Sequence, residues 1–410
     1  MRWIYDIGIR AFWLGIVVSS LWNKKARLWL KGRAGWSEKI KNQFSEKDRV
    51  LWFHCASLGE FEQGRPVIEM IKKQLPEIKI LLTFFSPSGF EKQKNYENAD
   101  FVSYLPLDTR KNTRKFVKSF PLTGVIFIKY EFWYHYLHTI KGINVPSFLV
   151  SGNFRPEQVF FKWYGRWYSQ FLTCFSHFFV QDEQSKVLLR KFGFDNVTVT
   201  GDTRFDRVAK VVQTNYQNQA LEEFSRGNSV IIAGSTWEVD EELLFYACRN
   251  LPCEYKWIIA PHELSGKHIQ KLKNLFKEHL LFTEIQGTID DTIRVVIINT
   301  IGQLPFLYRY GTIAYVGGGF GKGIHNILEA AAYGLPVIFG PRYKKFREAV
   351  ELVNLKGAFP VHNKKQLLSI LQQQMEDPQG LKTSSDISRN YVLSNSGASS
   401  IIINQLKKIF

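Results

Sequence analysis

TIAYVGGGFGKGIHNILEAAAYGLPVIFGP (residues 312–341) reads as one complete strand, loop, helix and strand. TIAYVGG is an apolar, β-branched and aromatic run, short enough for a strand buried on both faces. The glycine loop GGGFGKG lacks β-carbons at most positions, so it can approach a ligand closely and expose its amides. A helical pattern, HNILEAAAYG, follows, and LPVIFG supplies the next strand. Asn326 and Glu329 have the spacing of a capping box, in which the asparagine satisfies an orphan amide and the glutamate reaches back to the cap. The same arrangement suits a nucleotide sugar, with its phosphate on the loop amides and its ribose hydroxyls on the carboxylate. A dinucleotide is disfavoured, because no acidic residue stands ~20 positions on for a ribose and the motif arrives late in the chain.

Outward from this unit the chain keeps alternating. Apolar runs at 229–235, 255–261 and 295–300 precede it, and an earlier series occupies 50–57, 78–86, 124–130, 146–152, 177–182 and 197–201. Helical patterns lie between several of them, as at 64–75 and 183–193. This alternation predicts an α/β protein of two doubly wound, Rossmann-like domains facing a cleft. The polar stretch 207–228, without a strand, is the linker candidate. The expected division is 1–35 for an N-terminal segment, 36–207 and 208–390 for the two domains, and 391–410 for a helix that crosses back to the first domain.

At 410 residues, with 45% apolar and 22% charged residues, the chain is globular rather than disordered and too long for one core. Lysine and arginine number 54 against 37 acidic residues, a net charge of +17 that predicts anionic company: nucleic acid, anionic lipid or a phosphorylated substrate. Scattered basic residues and the lack of any RNA- or DNA-binding signature put nucleic acid last. The four cysteines form no CxxC pair, which argues against a zinc cluster or disulfide framework and for a reducing compartment. No metal and no cofactor are expected.

The apolar run AFWLGIVVSSLW (11–22) is shorter than a membrane span needs and is followed by NKKARLWLKGR (23–33). Trp3, Trp13, Trp22 and Trp29, interleaved with Lys24, Lys25, Arg27, Lys31 and Arg33, predict a helix lying on anionic lipid at the cytoplasmic face; the alternative is an amphipathic helix that packs on its own domain.

In doubly wound folds ligands gather where strands end and helices begin. His54, Ser57 and Glu60 follow the first strand; Lys129, Glu131 and Trp133 follow the run at 124–130; Gly234 to Glu238 and Pro261 to Glu263 follow the first two strands of the second series. A glutamate in a first helical turn commonly serves only the helix dipole. Several such ends lining one expected cleft give the functional reading its weight.

Taken together, HCASLGEF (54–61), LPLD (105–108), EFW (131–133), VTGDTRFD (199–206), AGSTWEVDEE (233–242) and GIHNILEAAAYGLPVIFGP (323–341) resemble the bacterial lipid A Kdo transferases. The resemblance runs in order from about residue 25 to 345. It implies an inner-membrane, inverting glycosyltransferase of glycosyltransferase-B architecture that moves 3-deoxy-D-manno-octulosonic acid (Kdo) from CMP-Kdo to the lipid A precursor. By position, Glu60 matches the family's general base, and Arg204 stands where the family has a lysine that steadies the leaving group. CMP is then expected on Pro261, His262, the backbone of Ile301, Gly302 and Gln303, and the run Asn326, Ile327, Leu328 and Glu329. Lys129 is assigned the Kdo carboxylate, while Glu131, Ser86 and Ser88 are assigned contacts with acceptor or donor. Two positions depart from the family pattern: His262 replaces an arginine and Lys129 an acidic residue. Two other readings stay open on sequence alone, a related transferase using a UDP- or GDP-sugar and a nucleotide-sugar-binding protein without turnover.

Overall fold

In the computed structural model all residues, 1–410, are described. The chain forms two compact units, one of residues Met1–Arg207 with Ser396–Phe410, the other of Val208–Asn395. Each is built on a seven-stranded sheet. In the first, β1 (Arg49–Cys55), β2 (Ile78–Phe84), β3 (Phe101–Tyr104), β4 (Leu122–Ile128), β5 (Ser147–Gly152), β6 (His177–Val180) and β7 (Val197–Val199) lie in the order β3-β2-β1-β4-β5-β6-β7. In the second, β8 (Ser229–Thr236), β9 (Tyr255–Pro261), β10 (His279–Leu281), β11 (Val295–Ile297), β12 (Ile313–Val316), β13 (Val337–Phe339) and β14 (Ala358–Pro360) lie in the order β10-β11-β9-β8-β12-β13-β14. Every pairing is parallel. The expected doubly wound α/β architecture is therefore present in both halves.

β1 shows why its run is apolar throughout. Val50 and Trp52 enter a core with Leu81, Phe127 and Leu149 on one face, while Leu51, Phe53 and Cys55 enter a second core with Ile68 and Ile126 on the other. Side chains of a strand alternate faces, and helices cover both, so no polar face is tolerated. Trp52 is fully buried and is met edge-on by Phe116, Phe127 and Tyr136.

Three strands lie outside the expected runs: β3, β10 and β14. They are edge strands of four, three and three residues, each with one neighbour, so little apolar sequence is needed to hold them. The linker candidate contains no strand. Residues 207–228 are largely helical, within Thr203–Val212 and Gln219–Ser225, and the division between the units falls inside the first of these helices.

The helices that position the first unit's strand ends are α1 (Arg2–Ser19), α2 (Lys24–Arg33), α3 (Trp36–Lys41), α4 (Leu58–Gln74), α5 (Pro87–Gln93), α6 (Arg110–Val117) and α7 (Tyr134–Gly142). α1 has no buried residue, and no helix is long and apolar enough to cross a membrane. Tyr5, Asp6 and Phe12 hold it. Tyr5 donates to Asp108 (2.5 Å), which also caps α7 by accepting the amides of His135 and Tyr136, each at 3.1 Å. Phe12 packs against Trp29 and Phe85 at 5.9 Å. The interfacial role expected for Trp29 and Arg33 is corrected here. Both are buried, and the Arg33 guanidinium lies 3.6 Å over the Trp29 ring while donating to the carbonyls of Leu105, Trp29 and Phe85. A cation that satisfies three interior carbonyls is a structural clasp, not a lipid contact.

The chain returns to the first unit at Ser396. Its last helix, Ala398–Leu406, sets Ile402, Ile403 and Leu406 into the same core as Ile68 and Ile71 of α4. Asp206 receives the amides of Gly397 and Ser399, which open that helix. Asp206→Ala leaves two helix-start amides without their acceptor and should lower stability by about 1–2 kcal/mol, read as a shift in urea midpoint.

Candidate functional site

Both sheets reverse their strand order at one place, between β1 and β4 in the first and between β8 and β12 in the second. Beyond the carboxyl ends of those strands a doubly wound sheet leaves a crevice that helices do not fill. Of the residues picked out from the sequence, those that follow β1, β4, β8, β9 and β12 gather at these ends.

In the first unit Ser57 caps α4, accepting the amide of Gly59 and donating to the carboxylate of Glu60. That bond and the open first turn hold Glu60 half-exposed at the end of β1. Behind it runs a buried polar chain. Trp52 Nε1 donates to Thr83 Oγ1 (2.7 Å), Thr83 Oγ1 lies 2.9 Å from His54 Nδ1, and His54 Nε2 lies 3.1 Å from Glu131 Oε2. Trp133 Nε1 donates to the same Glu131 oxygen at 2.7 Å. The Glu131 carboxylate is thus oriented by an indole and an imidazole, although its side chain is only slightly exposed (13%). Lys129 and Ser151, at the ends of neighbouring strands β4 and β5, take left-handed backbone with φ of 63° and 58°. Such conformations are costly for residues other than glycine and cluster where a site constrains the chain. Ser86 and Ser88, at the start of α5, share a hydrogen bond of 2.7 Å.

Arg204 does not stand as an isolated cation. Its Nε and a terminal nitrogen both reach Asp202 Oδ2, at 2.8 and 2.7 Å, and its own amide donates to Asp202 Oδ1 at 2.9 Å. Thr203 between them donates to the carbonyl of Gln63 and meets Ser151 Oγ at 3.0 Å, so the TRFD turn is tied to α4 and β5. The charge assigned to Arg204 enters the site as half of an ion pair.

In the second unit the organising group is Asp240, nearly inaccessible in the first turn of the helix Glu238–Asn250. Its Oδ2 accepts the amides of Trp237 (2.9 Å) and Gly318 (3.0 Å), and its Oδ1 accepts Tyr315 Oη–H at 2.7 Å. Burial pushes this carboxyl up, and the three donors oppose the rise. The result couples the end of β8 to the glycine loop after β12.

The glycines of that loop serve packing more than ligand approach. A β-carbon at Gly317 would sit 2.3 Å from the Ser235 carbonyl oxygen, and one at Gly319 would sit 2.6 Å from the Gly340 backbone. Gly318 carries φ of 89° and lies equally close to Gly323. Chain crosses chain at these points, and only hydrogen fits. The capping box expected at Asn326 and Glu329 is also not formed. Ile324, Ile327 and Leu328 are drawn into the core, which delays the helix to Leu328–Ala332. Asn326 Oδ1 instead accepts the Leu328 amide at 3.2 Å, and its Nδ2 donates to Glu329 Oε1 at 3.1 Å. Ile327 and Leu328 consequently offer backbone only.

Pro261 closes β9 and is buried, whereas His262 is exposed. Its ring stacks on Trp237 (4.6 Å between centroids) and on His325 (4.4 Å). Trp237 Nε1 donates to His325 Nε2 at 3.1 Å. Trp237 lies in the strand-end run Gly234 to Glu238, whereas Asp240 and His325, inside the quoted motifs, carry no role that spacing alone assigns; their neighbours in the motif are the signal, and the stacking and shared hydrogen bonds exist only in three dimensions. Ile301 and Gly302 are exposed, with Gly302 at φ of 87°, and Gln303 accepts Tyr216 Oη–H at 3.0 Å. Together these groups set flat aromatic surface, turn amides and one amide–carboxylate pair at the end of the sheet.

Solved structures with the same architecture include UDP-GlcNAc 2-epimerase from Methanocaldococcus jannaschii, with TM-score 0.53 and 16% identity over 85% of this chain and 100% of that one. MurG from Acinetobacter baumannii gives TM-score 0.54 at 11% identity, over 88% and 99%. Two doubly wound sheets with polar residues collected at their reversal points define a protein of the glycosyltransferase-B architecture. The family described as 3-deoxy-D-manno-octulosonic-acid transferase (kdotransferase) matches residues 30–207. The 3-deoxy-D-manno-octulosonic acid transferase of Aquifex aeolicus is 28% identical over 331 residues, 78% of this chain and 85% of its own. That of Rickettsia felis is 25% identical over 349 residues, 82% and 74%. Over most of its length this chain is similar to 3-deoxy-D-manno-octulosonic acid transferases, and it is a glycosyltransferase.

Burial and the neighbouring His262 push His325 down from the ordinary 6.5 to about 4. The folded protein therefore prefers the neutral ring, and its contribution to stability is present above pH 6.5 and is lost as pH falls toward 4. His325→Asn should flatten that part of the acid limb in urea midpoints measured against pH.

Proposed function

We propose that this chain transfers Kdo from CMP-Kdo to a primary hydroxyl of the lipid A precursor in lipopolysaccharide synthesis, with inversion at the anomeric carbon. The observation that carries the mechanism is Glu60, held by Ser57 at the end of β1 in the open first turn of α4. Its carboxylate takes the hydroxyl proton as that oxygen attacks the anomeric carbon; the bond to the phosphate oxygen breaks, and CMP departs with the electron pair. Direct displacement of this kind forms no covalent sugar–enzyme intermediate. A carboxylate in a helix first turn is favoured as the anion, so exclusion of water around the bound sugars is what makes it an effective base.

CMP is assigned to the second unit. His262, the turn amides of Ile301, Gly302 and Gln303, and the Asn326–Glu329 pair give it donors and acceptors at the end of the sheet. The acceptor is assigned to the first unit, beside Ser86, Ser88 and Glu131, with Lys129 answering the Kdo carboxylate. Arg204 steadies the departing phosphate as the Asp202-oriented member of its pair. A planar guanidinium in that position gives directed N–H groups where a lysine gives a point charge.

The membrane assignment rests on α1. Trp3, Trp13 and Trp22 are 66%, 45% and 68% exposed, and α2 follows with Lys24, Lys25, Arg27 and Lys31. A helix that leaves indoles uncovered and is followed by cations suits the headgroup layer of an anionic leaflet. It would keep the enzyme beside an acceptor whose acyl chains cannot leave the bilayer.

Purified protein given CMP-Kdo and the lipid A precursor should yield the Kdo-bearing lipid by mass, and Glu60→Gln should lower kcat by about 10²–10⁴. Undiminished turnover by Glu60→Gln removes the proposed base. In thermal unfolding CMP should raise the midpoint while UMP and GMP leave it in place; stabilisation by UMP or GMP instead would point to a different donor.

A further inference from the structure

α1 and α6 enclose a groove of about 810 Å³ lined by Arg2, Asp6, Ile9, Arg10, Thr109, Arg110, Lys111 and Arg114. It continues past Arg114 to Lys118 and α7. The one carboxylate, Asp6, is already taken by His135 Nε2 at 2.5 Å and lies 3.9 Å from Arg2. Arg10, Arg110, Lys111, Arg114 and Lys118 are exposed and form no ion pair with the protein. α6 is organised to produce this surface: Thr113, Phe116 and Val117 are buried, and the cations between them are turned outward. Several like charges facing one groove without a counterion repel each other, and an anion placed among them relieves that repulsion.

The surroundings identify what carries the anion. On α1, Arg2, Asp6, Ile9 and Arg10 make the wall of the groove, and Trp3, Ile7, Leu14 and Val18 recur at helical spacing on the adjoining face. These four are each about half exposed or more. Aromatic residues continue the rim: Trp167 packs on Tyr5 and Tyr134, and Trp163 and Tyr164 beside it are open to solvent. A soluble phosphate would need the cations but not the apolar face. A lipid uses both, its chains along α1 and its phosphate in the forked N–H groups of the arginines.

We propose that the groove between α1 and α6 is a binding site for the phosphate of an anionic membrane phospholipid, distinct from the groups that act on the sugars. The inference rests on the reading that α1 lies on a bilayer, and it adds the residues that select the headgroup.

The full-length protein is tested by sedimentation with vesicles of phosphatidylcholine alone and with phosphatidylglycerol added, at fixed ionic strength. The parent should prefer the anionic vesicles, and Arg110→Gln/Arg114→Gln should weaken that binding roughly thirty-fold, the effect of removing two cations from an anionic surface. Arg10→Gln/Lys111→Gln should act likewise, and an unchanged thermal midpoint checks the fold of each. Lys407→Gln/Lys408→Gln removes the same charge from the end of the last helix, which packs on α4 across the sheet from α6, and should leave binding within about two-fold of the parent, since screening silences charges more than a Debye length from the lipid. Equal losses from the α6 pair and the Lys407 pair would reduce the effect to overall charge and overturn the site. Retained preference in both groove variants would overturn it too, while leaving the bilayer reading intact. Failure of the parent to bind either vesicle would overturn both. Inorganic phosphate at low millimolar concentration should not displace the vesicles; displacement that chloride does not match would reassign the groove to a soluble phosphate and overturn the lipid assignment. None of these outcomes depends on sugar transfer, so that reading is judged separately by the Glu60 experiment.

Discussion

Every strand in both sheets runs parallel to its neighbours, and this constraint governs what the rest of the chain can do. A parallel pair needs a crossover, and the crossovers in a doubly wound sheet all leave from the carboxyl ends of the strands. Loop amides, helix starts and strand-end side chains therefore collect along one edge of each sheet. The reversals at β1/β4 and β8/β12 open that edge just where Glu60, Glu131, Trp237 and Asn326 are found. The placement of these groups is in this sense a consequence of backbone hydrogen bonding.

Holding polar groups at those edges requires buried support. In the first unit the supporting chain runs from Trp52 through Thr83 and His54 to Glu131. In the second it is Asp240, with three donors, and Glu241, which accepts from Thr236 and meets His268 at 2.9 Å. Burial opposes charge on both of these carboxyls, and their hydrogen bonds favour it. A buried carboxylate left without donors would be costly, so each such network fixes the position of the loop it supports. The glycines at 317 to 319 act in the same direction, letting two backbone segments touch where a side chain would separate them.

The N-terminal helix follows a different logic. α1 is held at Tyr5, Asp6 and Phe12 and leaves most of its apolar residues uncovered. Phe12 reaches Phe85, and Phe85 stacks on Trp133, whose indole holds Glu131. The exposed helix is thus joined by consecutive packed rings to the carboxylate at the end of β4. An exposed helix and a strand-end residue share one continuous aromatic cluster.

The α/β class, the strands of both sheet interiors and the positions of the strand ends were legible in the sequence, because a strand buried on both faces is apolar at every position and cannot be disguised. Glu60 was legible because it enters a helix directly after a strand end and because its motif resembles that of a known family. The edge strands β3, β10 and β14 were not, since one neighbour and a few residues leave almost no compositional trace. Nor could spacing show that Arg33 and Trp29 turn inward, that Arg204 forks onto Asp202, or that the helix after Asn326 starts late. Those outcomes depend on partners far away in the chain or on competition between local capping and burial of Ile324, Ile327 and Leu328. Sequence by itself determined which segments must be buried and where helices could begin; tertiary structure alone decided which charged groups are paired, because pairing is set by distance in space and not along the chain.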